Sequence, residues 1–532
     1  MKCWYIVFAF LLLFAGTEVP VCGADSLTLE QLRNARKAAA DRQRKVVFNN
    51  DGNEPVYLCK DTSAEELLRH RTAPLAGSHV DSIFYCTWSS GFSLFTHDTK
   101  VGALFATKEG RFSSNMTGSL IAAGTDPLRV MVDWGRKNKV EVFWSFRLND
   151  THDASTADYG PIMFRANKFK QQHPEWLIGS PTQVPKFGGW SAVDFSHAEI
   201  RDLAVRLVEE VCRNYEVDGI EIDFFRHPVF FKHHAQTGQP CSDGDRSAMS
   251  DLIRRIRDVT EVEGMRRGRP LLVAFRVPDS VPYCRDIGLD VEDWLSKGWV
   301  DLLATAGYFQ MNTWETSVAL ARKYGVKCYA SLDESRVPDP EAKKLRMTPA
   351  AYRGRVLNAL DAGMDGVYLF NSFDPHNPIW REIGDRGLIS TKDQDYFASV
   401  RGLAGAAGNA YPHRPFQNIP TLNPKAPVQV APGRAATVPL RVGNAQLSKI
   451  EPALIQTTLR LQFKALPVPD SASVFLNGKS LSAPKMNDRW MEFPLDPHAV
   501  RTGINEVRVE TAADAAPLEW WDLHLQVRYA SP

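Results

Sequence analysis

Residues 217–226 read Val217-Asp218-Gly219-Ile220-Glu221-Ile222-Asp223-Phe224-Phe225-Arg226. Side chains alternate sides along a strand, so Ile220 and Ile222 share one face and Gly219, Glu221 and Asp223 the other. The large apolar face suits packing against helices. The small and acidic face suits the axis of a closed parallel barrel.

Seven further runs of the same kind surround this one. They are KVVFNND from Lys45, VDSIFYCTW from Val80, VEVFWSFRLND from Val140, PLLVAFRVP from Pro270, VDLLATAGYF from Val300, VKCYASLDES from Val326 and DGVYLFNSF from Asp365. Each is short and rich in Val, Ile, Phe and Tyr, as buried parallel strands are. Helix punctuation lies between them. Ser196 to Glu199 forms a capping box, with Phe195 and Ile200 as its staple. Asp126-Pro127 and Thr348-Pro349 set a cap before a first-turn proline, and Gly325 and Gly363 stand where helices end. Eight strands, each followed by a helical segment, predict a (β/α)8 barrel over residues 45–403. An open doubly wound sheet is the rival, but NNDGNEP after the first run is not a glycine-rich phosphate turn.

The flanks differ in character. Met1-Lys2 and the apolar run Trp4 to Phe14 read as a signal peptide covering residues 1–24. Val21 before Cys22 makes lipid anchoring the less favoured outcome, so export without a stable membrane span is expected. Residues 404–427 are rich in proline and read as a linker. From residue 428 to 532 the period changes to two. Asn477-Gly478 predicts a tight hairpin, and Leu523, Leu525, Val527 and Tyr529 face away from Asp522, His524, Gln526 and Arg528. A β-sandwich is expected there, with its alternate polar face in solvent.

The chain has 532 residues, and 63 Lys and Arg balance 62 Asp and Glu. That balance leaves no basic surface for nucleic acid, whose binding rests on phosphate neutralisation. The six cysteines beyond the leader form no CxxC pair, which argues against a zinc site. Cys241 and Cys284 fall in predicted loops and can pair in an oxidising compartment.

Barrel active sites lie at the C-terminal ends of the strands. Those ends carry Asn49 and Asp51 on strand one, Trp88 after strand two, and Arg147, Asn149, Asp150 and His152 at strand three. Strand four gives Glu221, Asp223, Arg226 and His227. Arg276 follows on strand five, Tyr308 on strand six, and Asp333 and Glu334 on strand seven. Carboxylate, amide and guanidinium groups interleaved with aromatic rings suit sugar hydroxyls and the apolar faces of sugar rings. Matching inward parity places Glu221 between Arg147 and Arg276, leaving Asp223 free to face a substrate. Asp279, just past strand five, is a reserve acid/base. The aperiodic stretch Asp150 to Phe195 is long for a loop and therefore reads as functional.

VDGIEIDFFRHP, FWSFRLNDTHD and HPEWLIG together resemble the family-10-type glycoside-hydrolase-like proteins of bacteria, over about residues 45–400. The resemblance implies a barrel hydrolase, often secreted. The strand-four string is also similar to the α-amylase pattern, which implies a nucleophile at Asp223 and sugar contacts at Arg226 and His227. Glu221 stands where amylases carry Arg.

The expectation is therefore an exported glycoside hydrolase working with two carboxylates, Asp223 and either Asp333 or Glu334. Asn49, Asp51, Trp88, Arg147, Asn149, Asp150, His152, Glu221, Arg226, His227, Arg276 and Tyr308 would serve as substrate contacts. The arginines suit an acidic or sulfated polysaccharide. No cofactor and no metal is implied. The competing class is a barrel that binds carbohydrate without cleaving it. A metal-dependent deacetylase would need more inward histidines than these strands carry.

Overall fold

The computed structural model describes residues 27–333, 337–399, 410–467 and 471–530. The leader expected at residues 1–24 lies outside them, as do Glu334 and the first residues of the linker.

The eight runs form eight parallel strands: β1 (Val46–Asn50), β2 (Val80–Tyr85), β3 (Glu141–Arg147), β4 (Gly219–Asp223), β5 (Leu272–Val277), β6 (Leu302–Thr305), β7 (Lys327–Leu332) and β8 (Gly366–Leu369). Each pairs with its sequence neighbour and β8 returns to β1, so the sheet closes into a barrel. Nearly every strand residue is buried, because helices cover the outside and side chains fill the inside.

The N-terminal rim shows how the sequence closes it. Strand ends leave backbone N–H groups without ladder partners. Asp81, Asp218, Asp301 and Asp365 stand at the beginnings of the even strands. Their carboxylates accept from the backbone N–H of Lys45, Val142, Val273 and Cys328 on the odd strands beside them, at 2.6–2.9 Å. The recurring aspartate at the start of each even strand is thus a bottom closure.

The helix punctuation holds with one shift. Asp126 accepts from Leu128 N–H and Thr348 from Ala351 N–H at their helix starts. Gly325 and Gly363 take φ of +66° and +96° beyond helix ends. The helix expected to begin with Ser196 instead runs Ala198–Asn214 with His197 at its N-cap and no side-chain cap. Asp194 takes the Ser196 N–H and moves the entry one residue along.

The C-terminal part is a pair of antiparallel sheets. One contains β9 (Gln394–Phe397), β10 (Val428–Val430), β12 (Ile455–Phe463), β15 (Lys485–Asn487), β16 (Trp490–Leu495) and β18 (Leu518–Tyr529). The other contains β11 (Ala435–Val442), β13 (Ala472–Leu476), β14 (Lys479–Leu481) and β17 (Gly503–Thr511). Asn477 and Gly478 turn β13 into β14 with φ of +52° and +85°. β9 lies inside the segment expected to end the barrel, yet it pairs with β18.

The polar face of β18 is not in solvent as expected. Asp522 and His524 are buried, because that face covers the barrel's last helices. Arg346, from the helix Pro340–Arg346, donates to both Asp522 oxygens at 2.7 and 2.8 Å. His524 Nε2 meets Asp395 at 3.0 Å and stacks on Phe397. The six described cysteines are all buried free thiols, so Cys241 and Cys284 are not paired. Cys284 lies on the helix Val281–Asp286 rather than in a loop.

Candidate active site

A cavity of about 200 Å³ opens at the C-terminal mouth, on the half of the rim formed by β1 to β4. Asp51, Trp88, Arg147, His152 and Arg226 line it, joined by Tyr57, Ser90, Arg111, Tyr159 and Met163.

The chain after β2 builds one wall in an unusual conformation. Thr87, Trp88 and Ser89 all take positive φ, as do Gly91 and Phe92. Non-glycine residues held there are strained, and such strain gathers at functional sites. Trp88 N–H donates to Asp51 O, and Ser89 Oγ accepts from Arg147 N–H at 3.0 Å. Gly52, at φ +65°, allows this approach, since a Cβ there would lie 2.5 Å from Thr87 N.

Asp51 and Arg147 form an ion pair at the floor. Burial works against charge on Asp51, but Arg147, Arg226, Arg71 and His152 hold its carboxyl below the ordinary range. Asp51 is therefore ionised and weakly basic. Arg111 sits over the rings of Tyr57 and Tyr159 at 5.8 and 5.0 Å, and has no ion pair among the described residues.

Asp150 lies behind the wall and is fully buried. It accepts from Ser90 Oγ, from the N–H of Gly91 and His152, and from His152 Nδ1 at 2.8 Å. Burial opposes its charge, yet His152, His227 and Arg147 drive its carboxyl well below the usual range. Asp150 supports the wall and does not line the cavity. His227 accepts from Thr151 N–H and packs edge-on against His152. Burial, with Arg226 and Arg147 nearby, keeps its ring neutral.

Asp150, His152 and His227 bring ligand atoms within 4.8 Å of one another, a donor set of the kind that holds a divalent cation. Their lone pairs are engaged, however. His227 Nδ1 accepts from Thr151, His152 Nε2 accepts from Arg226 at 2.7 Å, and Asp150 Oδ2 has Arg226 and Arg147 at 3.7 and 3.9 Å. Two guanidinium groups already supply the positive charge, so the arrangement does not fit a metal ion.

The ionic cluster at the barrel axis is real but differently wired. Glu221 does face the axis: Oε2 accepts from Ser145 on β3 and, at 3.0 Å, from Tyr368 on β8 across the barrel. It does not sit between Arg147 and Arg276. Arg147 goes to Asp51, and Arg276 meets Asp223 with two hydrogen bonds of 2.9 and 2.5 Å. Burial, with Asp223 beside it, pushes the Glu221 carboxyl up to about 7. Asp223 is consequently not free for a substrate. It is 2% exposed and also accepts from the N–H of Phe225 and Arg226.

The remaining expected residues are structural in their contacts. Asn149 donates to Val193 O and Val229 O and accepts from Val193 N–H, tying two loops together. Asn49 is buried inside the barrel with Phe84 O, Ser145 and Cys86 about it. Tyr308 is 1% exposed, its ring 5.4 Å from the Arg226 guanidinium. Asp333, at the end of β7, is buried and accepts from Asn371 at 3.4 Å. The reserve Asp279 accepts from Met311 and Asn312 N–H. Tyr57, Ser90 and Arg111 were not legible as site residues, since they lie beyond the strand ends. Tyr159 and Met163 fall in the long aperiodic stretch from Asp150 to Phe195.

The fold and this mouth define a (β/α)8 barrel with an arginine-rich, aromatic-walled cavity where barrel enzymes act. Residues 72–246 match the family model described as Glycosyl hydrolase-like 10, the family whose motifs the sequence resembles. No curated protein matches the chain. Among solved structures, the glycoside hydrolase domain of PgaB (BpsB) from Bordetella bronchiseptica is 13% identical, with 64% of this chain and 99% of that one covered at a TM-score of 0.37. A glycoside hydrolase family 18 N-acetylglucosaminidase from Paenibacillus barengoltzii is 12% identical, with 65% and 98% covered at 0.33. A Paenibacillus cycloisomaltooligosaccharide glucanotransferase complexed with cycloisomaltoheptaose is 10% identical, with 90% of this chain covered at 0.34. The chain spans 57% of that glucanotransferase. No helix among the described residues is long and apolar enough to cross a membrane.

Proposed function

We propose that the protein hydrolyses glycosidic bonds of an acidic oligo- or polysaccharide bound at the barrel mouth. The observation that carries this reading is the cavity in which an ionised Asp51 shares the walls with Arg111, Arg147 and Arg226 and with the rings of Tyr57, Trp88 and Tyr159. An oxocarbenium-like transition state needs a facing carboxylate, and Asp51 supplies it. Arg111, with no ion pair among the described residues, is the counter-ion for a uronate or sulfate group. The match of residues 72–246 to a glycosyl-hydrolase-like family supports the same class of reaction. The leader expected at residues 1–24 would put it outside the cytoplasm.

One observation favours a second reading, a sugar-binding barrel without turnover. Among the described residues lining the cavity, Asp51 is the one carboxylate, whereas the usual scheme takes two. A panel of uronate-containing, sulfated and neutral polysaccharides, assayed for new reducing ends and for binding, separates the readings. Reducing ends from an acidic polymer, with a raised KM in Arg111→Ala, support hydrolysis. Binding without release supports the second reading.

A further inference from the structure

This inference rests on the hydrolytic reading and names its missing proton donor. Among the described residues that line the cavity there is one carboxylate, Asp51, and one imidazole, His152, a side chain able to serve as acid or base. A guanidinium only donates, so the 2.7 Å contact from Arg226 Nη2 makes His152 Nε2 an acceptor. The ring proton then sits on Nδ1, where Asp150 takes it at 2.8 Å. Asp150 is itself locked by Ser90 Oγ and two backbone N–H groups. The ring is thus held in one tautomer with Nε2 turned toward Arg226, which lines the same cavity. Buried carboxylate, imidazole, reacting oxygen is the arrangement by which a side chain of fixed tautomer moves a proton.

We propose that the Asp150–His152 dyad is the acid/base of this site and stands in place of a second carboxylate. His152 is the catalytic residue, and Asp150 is a positioning residue that acts through it. When an acidic substituent takes Arg226 as its counter-ion, the freed Nε2 takes a proton from water, and in the first step an Asp51 oxygen bonds to the anomeric carbon as the glycosidic C–O bond breaks and the leaving oxygen takes that proton from the resulting His152 imidazolium. In the second step neutral Nε2 removes a proton from water. The water oxygen bonds to the anomeric carbon, the Asp51–carbon bond breaks, and both groups return to their starting states. The charged and titratable groups around His152 are Asp150 on its own loop, Asp51 after β1, Arg147 on β3, and Arg226 and the neutral His227 after β4. An acidic substituent that takes Arg226 as its counter-ion releases Nε2, which ties turnover to anionic sugars.

The test compares kcat/KM on phenyl and 2,4-dinitrophenyl glycosides of uronic acids and sulfated sugars in both anomeric forms. Dinitrophenolate leaves without a proton, whereas phenolate needs one. His152→Gln is expected to lower kcat/KM on phenyl glycosides about 10²- to 10⁴-fold and to leave dinitrophenyl glycosides near wild type. Asp150→Asn should shift in the same direction, while a merely structural role would lower both substrates equally. Equal loss on both, or loss on neither, overturns the dyad. So does a leaving-group signature that appears in Asp333→Asn instead of His152→Gln. A wild-type protein that cleaves none of these glycosides and no polysaccharide refutes the hydrolytic reading, and the dyad with it.

Discussion

Arg276 on β5 meets Asp223 on β4 side by side, Nε to Oδ1 at 2.9 Å and Nη2 to Oδ2 at 2.5 Å. Both residues are buried. The pair, with the Phe225 and Arg226 N–H groups on the same carboxylate, fixes the turn that carries Arg226 into the cavity. Asp223 thus shapes the site from behind.

Asp223→Asn should therefore destabilise the protein, although it is nearly isosteric. Removing one partner of a buried ion pair costs about 3–5 kcal/mol. Urea unfolding at pH 7 measures it. A midpoint equal to wild type, with turnover abolished, would return Asp223 to the role of a substrate-facing nucleophile.

Glu221 gives the stability a pH dependence of defined sign. Its carboxyl is raised from 4.5 to about 7 in the folded chain, so the folded state holds the proton more tightly than the unfolded state. Its favourable contribution is complete below about pH 4.5 and is lost as pH rises toward 7, with at most about 3 kcal/mol at stake over that window. The depressed carboxyls of Asp51 and Asp150 work in the opposite sense at lower pH. The informative quantity is the difference between wild type and Glu221→Gln from pH 4.5 to 7. Wild type should lose stability relative to the variant across that range, and parallel curves would refute the raised carboxyl.

Much of this was readable in the sequence because barrels repeat. Eight Val- and Ile-rich runs with helix caps between them determine the closed sheet, and parity turns Glu221 inward. Which charges pair is another matter. Period two says that Arg147, Glu221, Asp223 and Arg276 share an interior. It is silent on the height of each along the axis and on the loop conformations that bring Asp51 to Arg147. Arg111 and Tyr159 reach the cavity from excursions after β2 and β3, and the wall between them contains the left-handed run Thr87–Ser89, which residue identity does not announce. The strict alternation in β18 was legible, but the alternate face meets the barrel, and one strand cannot reveal its neighbour.

That junction is testable through Asp522. Asp522→Asn should lower stability by about 3–5 kcal/mol, since it strands the buried Arg346. Adding Arg346→Met should recover part of the loss, because an apolar replacement removes the stranded charge. Denaturation of the two variants checks this. An unchanged stability in Asp522→Asn would mean that the sandwich is not anchored to the barrel by this pair.

The central claim is that Asp51 is the carboxylate facing the scissile bond. The most direct measurement is the rate of reducing-end release from an acidic polysaccharide by wild type and by Asp51→Asn, with folding monitored by circular dichroism. The expected result is release by wild type and a fall of about three orders of magnitude or more in the variant, with its spectrum unchanged. A folded Asp51→Asn that keeps the wild-type rate would contradict the account.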